Sequence, residues 1–168
     1  MKKIGLLSDT HGFWDNAFIK YFSECDEIWH AGDIGNIAVT DKLQEIAPVK
    51  AVYGNIDDHI LRQEFQENLT MKYGKHKIFM THIGGKPFKY NKKTLQNLQV
   101  AKPQIFICGH SHICKVMYDH QLKLLYINPG AAGIVGFHKV RTLIRFEIHE
   151  ENVKNMEVIE LKNRKKIT

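Results

Sequence analysis

Ile4-Gly5-Leu6-Leu7-Ser8-Asp9-Thr10-His11-Gly12 is the stretch on which the reading of this chain turns. An apolar run ends in a carboxylate, an imidazole follows two positions later, and a glycine then lets the backbone turn. Such a stretch is a buried strand handing two metal-ligand side chains to the loop at its C-terminal end, where open α/β sheets place their sites. A single Asp-x-His is common by chance, so its weight depends on the partners that the rest of the chain supplies.

Moving outward, Phe13 to Cys25 sets Phe13, Ala17, Ile19, Tyr21 and Phe22 at helical spacing and predicts an amphipathic helix. Glu27 to Ala31 is a short apolar strand ending in Gly32-Asp33. Ile37 to Ala47 is a second helix closed by Pro48, and Val49 to Tyr53 is a strand followed by Gly54-Asn55. This β-α-β-α-β order predicts a parallel sheet with right-handed crossovers. Leu69–Tyr73 and Lys77–Thr81 then read as a hairpin around Gly74-Lys75-His76, and the second strand runs into His82. Tyr90 to Val100 reads as a helix, and Ile105 to Cys108 as a strand entering Gly109-His110. Lys115–Tyr118 with Leu122–Ile127, and Arg141–His149 with Val153–Leu161, read as further hairpins. Asn128-Pro129-Gly130 is a turn signal that either shapes the pocket or simply reverses the chain. No linker or repeat interrupts the pattern, so residues 1–162 read as one α/β domain with mixed sheets and 163–168 as a basic tail.

Composition narrows the function classes. With 43% apolar and 25% charged residues, the 168-residue chain has the make-up of a globular protein able to bury a core without disulfides. The apolar run behind Met1-Lys2-Lys3 stops at Ser8-Asp9, too short for a signal-peptide core, and no other stretch could span a bilayer. Cys25, Cys108 and Cys114 are an odd number without a Cys-x-x-Cys pair, which argues against a disulfide framework. A cytoplasmic protein without membrane contact is expected. The net charge of +6 favours anionic partners, although Lys162, Arg164, Lys165 and Lys166 contribute to it merely as a solvated end.

Five strand ends now carry ligand-type side chains: Asp9/His11, Asp33, Asn55, His82 and His110/His112. Only oxygen and nitrogen donors appear, which suits Mn²⁺, Fe²⁺, Ni²⁺, Zn²⁺ or Co²⁺ better than an all-oxygen calcium cage. The seven residues, one of them shared, would serve a two-metal centre. Two divalent ions against the carboxylates of Asp9 and Asp33 leave a positive surplus, which favours a bridging hydroxide and an anionic phosphoryl group. Phosphoester hydrolysis is the chemistry this layout fits.

Ser8-Asp9-Thr10-His11-Gly12, Gly32-Asp33, Gly54-Asn55, Thr81-His82 and Gly109-His110-Ser111-His112 occur in the order found in calcineurin-like metallophosphoesterases. The chain most resembles their small single-domain prokaryotic phosphodiesterase branch. The resemblance implies a four-layer α-β-β-α sandwich with two facing mixed sheets. It implies one metal held by Asp9, His11 and His112 and another by Asn55, His82 and His110, with Asp33 bridging and Asn55 touching the phosphoryl group. Two divalent ions, Mn²⁺ foremost, a small-molecule phosphodiester substrate and a homodimer are expected on the same ground. Many members carry a histidine directly after Gly-Asn to protonate the leaving group. Here Ile56 stands in that place, which leaves Asp57 and His59 as candidate donors and predicts a preference for activated diesters.

Two other readings stand beside the enzyme. The retromer-subunit branch of the same fold works through protein contacts and has an eroded site, whereas every ligand position is filled here. A nucleic-acid phosphoesterase would suit the basic balance, but no aromatic-basic stripe of the kind that tracks a strand is present. Lys86 and Lys89, with Lys92 and Lys93, could form a substrate rim after His82, or simply a solvated face. Cys108 and Cys114 around Gly-His-Ser-His lack the spacing of a zinc clip. His30, His76, His120, His138 and His149 read as structural hydrogen-bonders.

Overall fold

The protein is described by a computed structural model covering residues 1–162. The basic tail lies outside those residues. The first half supplies β1 (Lys2–Leu7), α1 (Ala17–Phe22), β2 (Glu27–His30), α2 (Ile37–Gln44), β3 (Val49–Ala51) and α3 (His59–Glu64). The chain continues through β4 (Asn68–Tyr73), β5 (His76–Thr81), a two-residue ribbon of β6 (Gly85–Lys86) and β7 (Lys89–Tyr90), and α4 (Lys92–Ala101). It closes with β8 (Ile105–Ile107), β9 (Cys114–Asp119), β10 (Leu124–Pro129), β11 (Thr142–Ile148) and β12 (Val153–Glu160).

The strands form two five-stranded sheets, in the orders β12-β11-β1-β2-β3 and β4-β5-β8-β10-β9. β1, β2 and β3 run parallel, as do β5, β8 and β10, while β11, β12, β4 and β9 add antiparallel partners. Both sheets are therefore mixed. Alternation along the strands assigns the layers. Ile4 and Leu6 of β1, Ile78 and Met80 of β5 and Ile105 and Ile107 of β8 share one core between the sheets. Leu7 and Ile28 turn the other way, onto Phe18, Phe22, Leu43 and Leu61 of α1, α2 and α3. Phe79, Phe106 and Tyr126 pack with Leu98 of α4 on the far side. Helices thus flank two facing sheets in the α-β-β-α order.

Three local expectations shift. The helix expected from Phe13 to Cys25 is confined to Ala17–Phe22, because Phe13 N–H closes a turn on the Thr10 carbonyl and Asp15 leaves to pair with Arg141. α3 arises after Asp58, whose side chain accepts from Leu61 N–H at 3.1 Å and caps it. Asn128 and Pro129 complete β10, so the reversal falls at Gly130, where φ is +73°.

Candidate metal centre

The parallel strands of both sheets point their C-terminal ends to one place, which is why residues far apart in the chain meet there. Among the described residues, two groups hold donor atoms within 4.8 Å of one another: Asp9, His11 and His112, and Asp33, His82 and His110. Both carboxylates split their labour. Asp9 Oδ2 accepts from the Ser8 hydroxyl at 2.6 Å and from His110 N–H at 3.1 Å. Its Oδ1 makes no hydrogen bond and faces Nε2 of His112, His11 and His82 at 3.0, 3.8 and 3.9 Å. Asp33 Oδ1 accepts from Ile56 N–H at 3.1 Å, while Oδ2 lies 3.1 Å from His82 Nε2 and 3.7 Å from His11 Nε2. Asp33 therefore touches both groups.

Asp9 Oδ1, His11 Nε2 and His82 Nε2 are buried without hydrogen-bond partners. Orphaned polar atoms of this kind are costly unless something binds them. Carboxylate oxygens and imidazole nitrogens form a donor set that fits divalent transition-metal ions. Backbone geometry marks the same residues. Asp9, His11, Asp33, His110 and His112 have φ of 55°, 47°, 52°, 67° and 58°, a left-handed conformation that side-chain-bearing residues seldom adopt.

Electrostatics follow from burial and proximity. Burial opposes charge on Asp9, but the rings of His11 and His112, with His82 and the Ser8 hydroxyl, hold its carboxyl below the usual carboxylate range. Burial likewise opposes charge on Asp33, and His82 with the Ile56 N–H outweighs it. Asp9, against burial, raises His11. Burial would lower His82, but Asp33 and Asp9 prevail and raise it. His110 is lowered by burial and by the neighbouring His82. The cluster is a nest of acceptors that attracts cations.

Support comes from residues behind the candidate ligands. His82 Nδ1 donates to the Ala31 carbonyl at 2.7 Å, an assignment that leaves Nε2 free for a metal. His138 Nε2 meets the Gly133 carbonyl at 2.9 Å and its Nδ1 lies 3.2 Å from His112 Nδ1. The carbonyl requires a proton on His138 Nε2, so His138 Nδ1 accepts from His112 and leaves His112 Nε2 bare toward Asp9. Asn128 is buried and donates to the Gly109 carbonyl at 2.8 Å and to Ser111 Oγ at 3.1 Å, which fixes the loop carrying His110 and His112. Gly109 and Gly54 allow close approach. An added Cβ would lie 2.1 Å from Ser8 Oγ in one case and 2.0 Å from Asp33 Oδ1 in the other.

The remaining candidates separate. Asn55 is exposed and, with His82, lines a cavity of about 430 Å³ that also holds Arg62 and Lys93. Asp57 is buried with its carboxylate accepting from three backbone N–H groups, of Ile34, Gly35 and Gly54, at 3.1, 2.7 and 2.7 Å. That arrangement suits it to positioning loops rather than delivering protons. His59 is exposed at the start of α3. Lys86 and Lys89 line a second cavity of about 400 Å³ beside His110, together with Lys115, which the sequence reading passed over. Lys93 instead pairs with Glu67 at 2.5 Å. His30 is structural, as read: buried, pushed down to about 4 by burial, and 2.9 Å from the Thr10 hydroxyl.

Comparisons with known proteins agree with this geometry. The chain is 31% identical over 138 residues to a probable metallophosphoesterase of Methanocaldococcus jannaschii, covering 78% of this chain and 68% of the relative. A protein of Streptococcus pneumoniae described as a predicted phosphoesterase superimposes with a TM-score of 0.69 at 24% identity, covering 98% of this chain and 90% of that one. Vps29 of Entamoeba histolytica, solved as a complex with Zn²⁺, gives 0.73 at 17% identity over 96% of this chain and 99% of that one. At these identities the two structures bear on the fold alone. The sequence pattern of the calcineurin-like phosphoesterase superfamily domain matches residues 1–151. By this match and by its two mixed sheets, the chain belongs to the calcineurin-like phosphoesterase superfamily.

Proposed function

We propose that this protein is a metal-dependent phosphodiesterase with a two-metal centre, one ion held by Asp9, His11 and His112 and the other by Asn55, His82 and His110. The observation that carries the reading is Asp33 Oδ2, which lies within 3.7 Å of His11 Nε2 and 3.1 Å of His82 Nε2 and so stands between the two groups. Divalent ions bound there supply Lewis acidity and make water nucleophilic near neutral pH, with Mn²⁺ foremost and Ni²⁺, Zn²⁺, Fe²⁺ or Co²⁺ compatible. Asp9 and Asp33 balance part of that charge. His82 and His112 keep Nε2 available through their Nδ1 contacts. Asn55, on the cavity rim next to His82, presents its amide to a phosphoryl oxygen. Ile56 brings no proton to a departing alkoxide, which favours diesters with stable leaving groups.

The test is metal-stripped protein assayed on bis-p-nitrophenyl phosphate and p-nitrophenyl phosphate, with Mn²⁺, Ni²⁺, Zn²⁺ or Mg²⁺ restored in turn. Hydrolysis of the diester above the monoester, lost in Asp33→Asn, is expected. Bound ions without turnover of either ester would overturn the reading and direct attention to protein partners.

A further inference from the structure

The cavity beside His110 has a chemistry that the two-metal reading does not account for. Lys86 and Lys89 face each other across the β6–β7 ribbon in register. Like charges directly opposite one another destabilise a strand pair. Lys115, from β9, lines the same cavity. Lys50, Lys75 and Lys93 all have carboxylate partners, whereas none of these three forms an ion pair among the described residues. The ribbon is firmly placed, because the Gly85 carbonyl accepts from the Tyr126 hydroxyl at 2.9 Å and the Ile83 carbonyl accepts from Asn91 and Thr94. The rest of the wall is largely apolar. Ile83 and Ile113 line the cavity and are 43% and 65% exposed.

Three uncompensated cations call for an anion of more than one charge, and apolar walls call for a body with little polarity. His110 sets the cavity against the metal ligands. We infer that this groove binds one arm of the substrate, a ring-bearing arm that ends in a second phosphate, as in a phosphorylated nucleotide. The inference rests on the phosphodiesterase reading and specifies its substrate class. Ile83 and Ile113 take the face of the ring, and Lys86, Lys89 and Lys115 take the terminal phosphate.

Two esters with the same leaving group test it: thymidine 5′-(p-nitrophenyl phosphate) and its 3′-phosphorylated counterpart, assayed on the metal-loaded protein. The 3′-phosphate is expected to raise kcat/KM about tenfold through KM, with an advantage that fades as salt is added. In Lys86→Ala/Lys89→Ala the ratio between the two esters falls toward one. Equal kcat/KM in the unmodified protein would overturn the groove while leaving the phosphodiesterase in place. If neither ester turns over, the enzyme reading falls, and calorimetric titration then judges the groove alone. Tighter binding of thymidine 3′,5′-bisphosphate than of thymidine 5′-monophosphate, lost in the double variant, supports it. Equal Kd values overturn it.

Discussion

Ile56 follows Gly54-Asn55 with its side chain 46% exposed, and only its backbone N–H is committed, to Asp33 Oδ1. Any residue but proline can supply that N–H, so the side chain can be exchanged without loosening Asp33. Ile56→His is expected to raise turnover of esters with poor leaving groups about tenfold, at or below the low end of the ~10²–10⁴ of an optimised general acid. The check is the slope of log kcat against leaving-group pKa, which should flatten in the variant. His138 offers a second prediction at this scale. Truncating it leaves the His112 tautomer unfixed, and outer residues of this kind are worth ~10–100-fold in metal affinity. His138→Ala should weaken binding of one of two ions by about that factor in a metal titration. His138→Gln, able both to accept and to donate, should recover most of it. The candidate ligand residues were legible in the sequence because they follow the ends of five apolar strands within a few residues. The role of His138 was not, because its contact with His112 spans 26 positions and exists only once the fold has closed.

The loops after β2 and β3 behave as one element, because the Asp57 carboxylate gathers N–H groups from both. Its removal would strand those donors in a buried place, at ~1–3 kcal/mol each where water does not replace the partner. Asp57→Ala is expected to lower the free energy of unfolding by about 2–4 kcal/mol, measured by urea denaturation. Asp57→Asn, which keeps one acceptor, should fall in between. The longer strands and the two longer helices were readable here because their apolar residues recur at clear periods, whereas the two-residue strands β6 and β7 carry no period at all. α3 was not, since only Leu61 of its six residues is buried and no period can emerge from one position. The Phe13–Cys25 segment misled for a related reason. Phe18 and Phe22 do enter the core, but Asp15 is drawn to the buried Arg141, 126 positions away.

At the end of the sandwich away from Asp9 and Asp33, Glu27 joins both sheets. Its carboxylate accepts from Trp29 Nε1 at 3.0 Å and from the Tyr73 hydroxyl of β4, and pairs with Lys50 at 3.2 Å and Lys2 at 3.6 Å. Burial opposes its charge, but Tyr73, Trp29 and Lys50 prevail and hold the carboxyl below its ordinary 4.5. The unfolded chain therefore binds this proton more readily, so the contribution is complete above about pH 4.5 and is lost as pH falls through the lower folded value. Glu27→Gln should lower stability by about 1–3 kcal/mol at pH 7 and flatten the acid limb of the stability curve, read by thermal melts from pH 7 downward. The parallel half was legible because strands alternate with helices there, whereas the layer order came only with the family resemblance of the motifs. This joint between the sheets was not, since Glu27 opens an apolar strand and shows nothing of Tyr73 until the sheets face each other.

The left-handed backbone at Asp9, His11, Asp33, His110 and His112 bears on how such a chain evolves. Each such residue costs on the order of 1–3 kcal/mol that glycine would not incur. Mutational drift toward glycine at His11 and His110 is thus rewarded by the fold and resisted only by selection for what these side chains bind. Glycine arising at these positions would therefore be the signature of a lineage released from that selection.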